Sequence, residues 1–203
     1  MSLLLDIDGV LIRDKQLLGH VKANCVRYVR SKLPGCKNPH EINNKLYLKY
    51  GHTARGLNAL YGIDTSDFNR NVYDSKLIDH LWAVLSCPEF QDDAEEIHSL
   101  TVDGWDVQLF SNSPLDWSLP VALSISDKVK VASDGIYLKP ELGAYMKFNN
   151  KMHHTFVDDS LRNLDAVQSA TTWRPVHFSQ EGIVSEYPTV NSIWSLGLFL
   201  RSK

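Results

Sequence analysis

Leu3-Leu4-Leu5-Asp6-Ile7-Asp8-Gly9-Val10 begins as an uninterrupted apolar run and breaks off on two carboxylates. A short continuous run of this kind suits a strand buried on both faces. Gly9 gives the turn after it the backbone freedom that a Cβ would restrict. The same arrangement recurs twice: Val107-Gln108-Leu109-Phe110 leads into Ser111-Asn112-Ser113, and His154-Thr155-Phe156-Val157 leads into Asp158-Asp159. Taken singly, Asp, Ser and Asn at such places are ordinary turn residues. Three polar strand ends together with Lys139-Pro140 are harder to ascribe to turns, because open α/β sheets gather their ligand sites beyond the carboxyl ends of the strands.

The stretches between these strands read as helices. Val21, Cys25, Val29 and Leu33 fall four apart on one face of a helix over His20–Leu33, which Pro34-Gly35 ends. Glu41–Lys49, Thr53–Tyr61 and Lys76–Leu85 are further helical segments; Gly62 stops the second, and Ser66 or Asp67 is a candidate cap for the segment after it. Asp93–Leu100 reads as a helix whose N-terminus gathers Asp92, Asp93, Glu95 and Glu96 against the helix dipole. Later come a strand near Val129–Val131, a helix over Glu141–Asn149 and another over Leu164–Ser169. A last strand over Arg174–Phe178, led in by Trp173, and a terminal helix over Val190–Leu200 complete the chain, with Leu119–Ile125 left unassigned. Alternating strands and helices predict an α/β fold: a Rossmann-like parallel sheet core with helices on both faces. Residues 1–15 and 96–203 form this core, and residues 16–95 are a helical insertion after the first strand.

Composition narrows the function. The chain has 203 residues, 43% of them apolar and 22% charged, with a net charge of −3, which is globular usage and excludes disorder. A small acidic excess argues against a protein that coats a nucleic-acid polymer, and the five tryptophans are too scattered to make a stacking platform. No apolar run is long enough to span a membrane, and Met1–Leu5 lacks the basic start of a secretory signal. Cys25, Cys36 and Cys87 are odd in number and form no CxxC, so reduced thiols and a cytoplasmic location are expected. His153 and His154, adjacent on an extended segment, point to opposite faces and make no zinc pair.

With the strand ends in view, the chain resembles the haloacid-dehalogenase-like (HAD) superfamily of phosphohydrolases. Asp6-Ile7-Asp8-Gly9-Val10 matches the first motif, Ser111 the second, Lys139-Pro140 the third and Asp158-Asp159 the fourth, all in order, and residues 16–95 occupy the position of a C1 cap. The resemblance implies Asp6 as the nucleophile and Asp8 as the general acid and base. It implies Ser111, Asn112 and Lys139 as phosphate-binding residues. It further implies Mg²⁺ held by the side chains of Asp6 and Asp158 and the backbone carbonyl of Asp8, with Asp159 behind them or bound through water. An acid at Asp8 suits a poorly leaving alcohol, which needs a proton, rather than a halide.

Within the insertion, Tyr50-Gly51-His52-Thr53-Ala54-Arg55-Gly56-Leu57 is similar to a segment in the caps of HAD-type pyrimidine 5′-nucleotidases. That similarity implies Tyr50, His52 and Arg55 as specificity residues, Arg55 for an anionic group and the rings for a base. The expectation is a Mg²⁺-dependent phosphomonoester hydrolase working through an aspartyl-phosphate on a small substrate, a nucleoside 5′-monophosphate, with neither a nucleic-acid polymer nor a membrane as partner. The alternatives are a sugar-phosphate phosphatase, a phosphomutase, or a catalytically silent binding protein on the same fold. Oligomeric state stays open.

Overall fold

The computed structural model describes residues 1–132, 137–148 and 152–202. In chain order the elements are β1 (Ser2–Leu5), α1 (Lys15–Lys32), α2 (Pro39–Tyr50), α3 (Thr53–Tyr61), α4 (Thr65–Val72), α5 (Ser75–Leu85), α6 (Pro88–Val102), β2 (Asp106–Leu109), α7 (Leu115–Ile125), β3 (Lys130–Val131), α8 (Leu142–Met146), β4 (His154–Asp158), α9 (Leu161–Ala170), β5 (Arg174–Phe178), β6 (Thr189–Val190) and α10 (Ile193–Arg201). They group into two compact units, Met1–Arg13 with Val84–Lys203, and Asp14–Ala83. The second division lies ahead of the 95/96 boundary read from the sequence, because α6 packs on α7, β2 and α10 of the first unit.

The first unit is built on a six-stranded sheet of order β3-β2-β1-β4-β5-β6, with every neighbouring pair parallel. Parallel neighbours require crossover connections; helices provide them except between β5 and β6, which residues 179–188 join without one. Every residue of β1 and β4 is buried, so both faces of the sheet centre are covered. This agrees with the expected Rossmann-like architecture. The chain winds outward from β1 to β2 and β3 and then crosses back to place β4 on the other side of β1. The crevice of such a sheet opens at that reversal, and register there is tight: Leu5 faces Leu109 on one side and Val157 on the other.

Several local expectations change. Helix α6 begins at Pro88, whose missing N–H is harmless in a first turn, so Asp92, Asp93, Glu95 and Glu96 lie beyond the N-terminus and Glu89 is the first-turn acid. Asp93 instead pairs with Arg13, and Glu96 with Arg201. The unassigned Leu119–Ile125 stretch is helical within α7, despite Pro120 inside it. β5 is not the last strand, since the two-residue β6 comes after it; Val190, expected to begin the terminal helix, belongs to β6. α10 begins at Ile193 behind a capping box between Ser192 and Ser195. The expected helix over Glu141–Asn149 spans Leu142–Met146, and Asn149 lies outside the described residues.

The second unit is helical. Tyr28, Val29, Leu46, Ala54, Leu57, Phe68 and Val72 form its core, with Val21, Cys25 and Leu33 partly buried against it. Asp14, Asn38 and Asp64 cap α1, α2 and α4 by accepting backbone N–H bonds, so Asp64, not Ser66 or Asp67, starts α4. A Cβ on Gly56 would lie 2.7 Å from Leu46 Cδ2 and 2.9 Å from Tyr50 Cδ2, so only glycine lets α3 approach α2 this closely.

Phe156 sits at the centre of the first unit's aromatic cluster, fully buried between Phe110, Tyr145 and Trp173. Phe156→Ala should therefore cost about 3–5 kcal/mol. Urea denaturation followed by circular dichroism reads this as a lowered midpoint; an unchanged midpoint would mean that this cluster does not hold the sheet together.

Candidate active site

Sheet register delivers the first two acids. Because Leu5 is opposite Val157, the next residues along, Asp6 and Asp158, stand side by side where β1 and β4 end, and the Asp6 N–H donates to the Val157 carbonyl at 2.9 Å. Phe110 N–H donates to Leu5 O at 2.7 Å, which brings the end of β2 and Ser111 to the same level.

Lys139 joins this group from the loop before α8. Its Nζ lies 2.8 Å from Asp6 Oδ1 and 2.7 Å from Asp158 Oδ2, with both the lysine and Asp158 sealed from solvent. The amide of Asn112 grips the lysine backbone at two points: Lys139 N–H donates to Asn112 Oδ1 at 2.7 Å, and Asn112 Nδ2 donates to Lys139 O at 2.9 Å. Phe110 and Phe156 present their faces to the ammonium at 5.2 and 5.4 Å. Asn112 thus positions Lys139, a task that the sequence alone did not disclose.

Asp158 is oriented from behind. Ser160 N–H donates to Oδ1 at 2.9 Å, and Asn163 Nδ2 lies 3.0 Å from Oδ1 and 3.1 Å from Oδ2. Asn163, one turn into α9, escaped the sequence reading because an Asn beyond a strand end carries no distinctive spacing.

Asp8 points elsewhere. Its Oδ2 accepts from Ser113 Oγ at 2.6 Å and its Oδ1 from the indole Nε1 of Trp117 at 3.1 Å. The turn beneath it is tightly folded: Val10, Leu11 and Ile12 N–H all donate to Ile7 O, and Gly9 N–H to Ile12 O. Gly9 has φ +93°, and a Cβ there would lie 2.2 Å from Asp159 Oδ2. Glycine at this position therefore makes the room that the Asp159 carboxylate occupies.

Oxygens of Asp6, Asp158 and Asp159 lie within 4.8 Å of one another. Burial pushes the Asp6 carboxyl well above its ordinary range; Lys139 opposes this, and the neighbouring carboxylates reinforce it. Asp159, though its residue stands at the surface, is pushed up to about 7, first by desolvation of the carboxyl and then by the Asp158 charge. Asp8 is raised by burial, against the opposing hydrogen bonds from Ser113 and Trp117. Burial pulls Lys139 down, but Asp158 and Asp6 outweigh it and hold the ammonium above its ordinary range. Three carboxylates against one ammonium, all presenting oxygen, is a donor set suited to a small hard divalent cation such as Mg²⁺.

Asp6, Asp8, Ser111, Asn112, Lys139, Asp158 and Asp159 thus come together at one edge of the first unit's sheet. Tyr50, His52 and Arg55 belong to the second unit. Tyr50 packs against its core. His52 lies edge-on to Phe68 at 5.7 Å, and burial lowers its imidazole to about 4, so it is neutral at pH 7. Arg55 Nη1 donates to Tyr50 O at 3.3 Å.

No family model matches the chain, and no curated protein sequence matches it. Solved structures do. A HAD phosphatase from Thermococcus onnurineus aligns with TM-score 0.61 and 17% identity, covering 98% of this chain and 97% of its own. A protein of Thermotoga maritima described as a beta-phosphoglucomutase aligns with TM-score 0.56 and 14% identity, over 99% and 98%. The HAD-hydrolase YfnB of Bacillus subtilis, bound to magnesium, aligns with TM-score 0.53 and 14% identity, over 98% of each chain. Likeness at these identities is likeness of fold, and the fold is haloacid-dehalogenase-like.

Replacing Lys139 by methionine would leave Asp6 and Asp158 buried without their cation, at a cost of about 3–5 kcal/mol. Without the ammonium, the lowering that Lys139 exerts on Asp6 is lost and that carboxyl should bind its proton still more tightly folded than unfolded, so the loss should shrink as the pH falls from neutral toward the ordinary carboxylate range. Thermal melts of Lys139→Met in EDTA at several pH values test this. A loss independent of pH would mean that Lys139 stabilises the fold without neutralising these acids.

Proposed function

We propose, taking the haloacid-dehalogenase-like fold as the premise, that this chain hydrolyses small phosphomonoesters with Mg²⁺ and favours a nucleoside 5′-monophosphate. The observation that supports it best is Lys139 Nζ held between Asp6 and Asp158 at 2.8 and 2.7 Å. A buried ammonium against paired carboxylates, at the mouth of a parallel sheet, is a place for an anionic group that must be approached by another anion.

Asp6, Asp158 and the backbone carbonyl of Asp8 would hold the cation, with Asp159 beside them. When bound, Mg²⁺ supplies the positive charge that lets a carboxylate and a phosphate dianion come into contact. A carboxylate oxygen of Asp6 attacks phosphorus, a P–O bond forms, and the ester P–O bond breaks to leave an aspartyl-phosphate. Asp8 gives its proton to the departing alkoxide. Asp8 then takes a proton from water as that water attacks phosphorus, orthophosphate leaves and the Asp6 carboxylate is restored. Ser111 and Lys139 hold the transferring oxygens, and Asn112 keeps Lys139 in place through its two backbone contacts.

The nucleotide preference rests on the Tyr50–Leu57 segment and its similarity to pyrimidine 5′-nucleotidase caps. Of its three candidate specificity residues, Arg55 alone is permanently charged, while Tyr50 and the neutral His52 contribute to the second unit's interior. A sugar phosphate is the competing substrate, favoured by the likeness to the Thermotoga protein.

The test is a panel of uridine and cytidine 5′-monophosphates, glucose 6-phosphate, glycerol 3-phosphate and 4-nitrophenyl phosphate, each with Mg²⁺ or EDTA. Pyrimidine nucleotides should turn over fastest and EDTA should abolish turnover; undiminished activity in EDTA would reject the mechanism, and preference for a sugar phosphate would reject the substrate. Asp6→Asn should lower kcat by about a thousandfold or more while keeping the folded circular-dichroism spectrum, and retained activity would reject Asp6 as nucleophile.

A further inference from the structure

Trp117 has no place in the motif set, yet among the described residues it is the largest fully buried side chain of the first unit, with 0% exposure, and its only side-chain polar atom meets the Asp8 carboxylate. Burying an indole N–H is costly without an acceptor, and here the acceptor is the acid assigned to the leaving group. The second donor, Ser113, is also buried, and its backbone N–H donates to Ser111 Oγ at 3.0 Å. Both donors flank the start of α7, Ser113 two residues before its first residue and Trp117 in its first turn. Asp8 itself rides on the turn over Ile7 and is only partly buried.

The two donors differ chemically. An indole N–H can only donate, whereas a serine hydroxyl donates or accepts by rotating. The indole therefore gives Asp8 Oδ1 a donor that cannot reverse its role, while the Ser113 hydroxyl meets Oδ2. We infer that Trp117 is a positioning residue whose indole N–H, together with the Ser113 hydroxyl, fixes the rotation of the Asp8 carboxyl that serves the leaving group. The inference rests on the phosphohydrolase reading above. In that step the ester P–O bond breaks, the O–H bond of the Asp8 carboxyl breaks, a new O–H bond forms on the alkoxide, and the carboxylate left behind accepts from both donors.

Acid positioning matters in proportion to how badly the leaving group needs a proton. Trp117→Phe keeps most of the ring volume and removes the N–H. With the alkyl phosphomonoester that the wild-type enzyme turns over fastest, kcat/KM, which reports the step that forms the aspartyl-phosphate, should fall about 10- to 100-fold, the scale of one hydrogen bond to a charged group. With 4-nitrophenyl phosphate, whose leaving group is a weak base, it should fall less than about threefold. Equal losses on the two substrates, or none, would overturn the inference while the phosphohydrolase reading stood. Inactivity of the wild-type enzyme on the whole panel would end both, and is recognised before any variant is made.

Should Trp117→Phe fail to fold, Ser113→Ala provides the same comparison of substrates from the Oδ2 side. Asp8→Ala provides a readout independent of turnover: the assigned indole N–H proton resonance of Trp117 should move upfield on losing its charged acceptor, with the other four indoles unmoved. A Trp117 resonance that stays in place would show that the contact does not exist in solution and would overturn the inference.

Discussion

The Lys139 ammonium, closed off from water between Asp6 and Asp158, is the interaction on which the rest of this molecule depends. Bringing two carboxylates to adjacent strand ends in a buried setting is unfavourable unless a cation meets them at hydrogen-bonding distance. Much of the surrounding structure serves that meeting. Asn112 clamps the lysine backbone, Phe110 and Phe156 offer ring faces to its charge, and Asn163 with the Ser160 N–H holds Asp158 from the far side. One ammonium does not balance Asp6, Asp158 and Asp159. The remaining negative charge is the physical reason for proposing a divalent cation.

The sheet order explains why segments so far apart in the chain share one point. Winding outward from β1 through β2 to β3 and crossing back to β4 leaves β1 flanked by two later strands, and each ends on polar residues. Parallel strands in register put those ends at one level, so the polar side chains meet where the strands stop. The helical unit is inserted immediately after the first of these strand ends, so the sheet is completed entirely by chain beyond the insertion.

Much of this was legible without coordinates. Short apolar runs fixed β1, β2 and β4 nearly to the residue, since a strand buried on both faces needs an unbroken apolar stretch. The Thr53–Tyr61 helix was bounded correctly, with Gly62 ending it in a left-handed conformation. The features that escaped did so for identifiable reasons. The sequence pattern started a helix only at Asp93 and left Leu119–Ile125 unassigned, yet Pro88 starts α6 and Pro120 is absorbed within α7. A two-residue strand such as β6 carries no periodicity at all. Asp92, Asp93, Glu95 and Glu96 looked like dipole partners until Asp93 and Glu96 proved to be engaged by Arg13 and Arg201.

Sequence by itself determined which residue types could do the chemistry, because carboxylates, a lysine and small polar residues announced themselves wherever an apolar run stopped. It also determined the α/β class, which comes from the period of the hydrophobic pattern. Only the tertiary structure decided how those groups are oriented: that Lys139 touches both acids, that Asn112 holds Lys139, and that Asp8 faces Ser113 and Trp117. Orientation depends on register and packing between segments distant in the chain, and a linear pattern carries no record of which buried donor will find which acceptor.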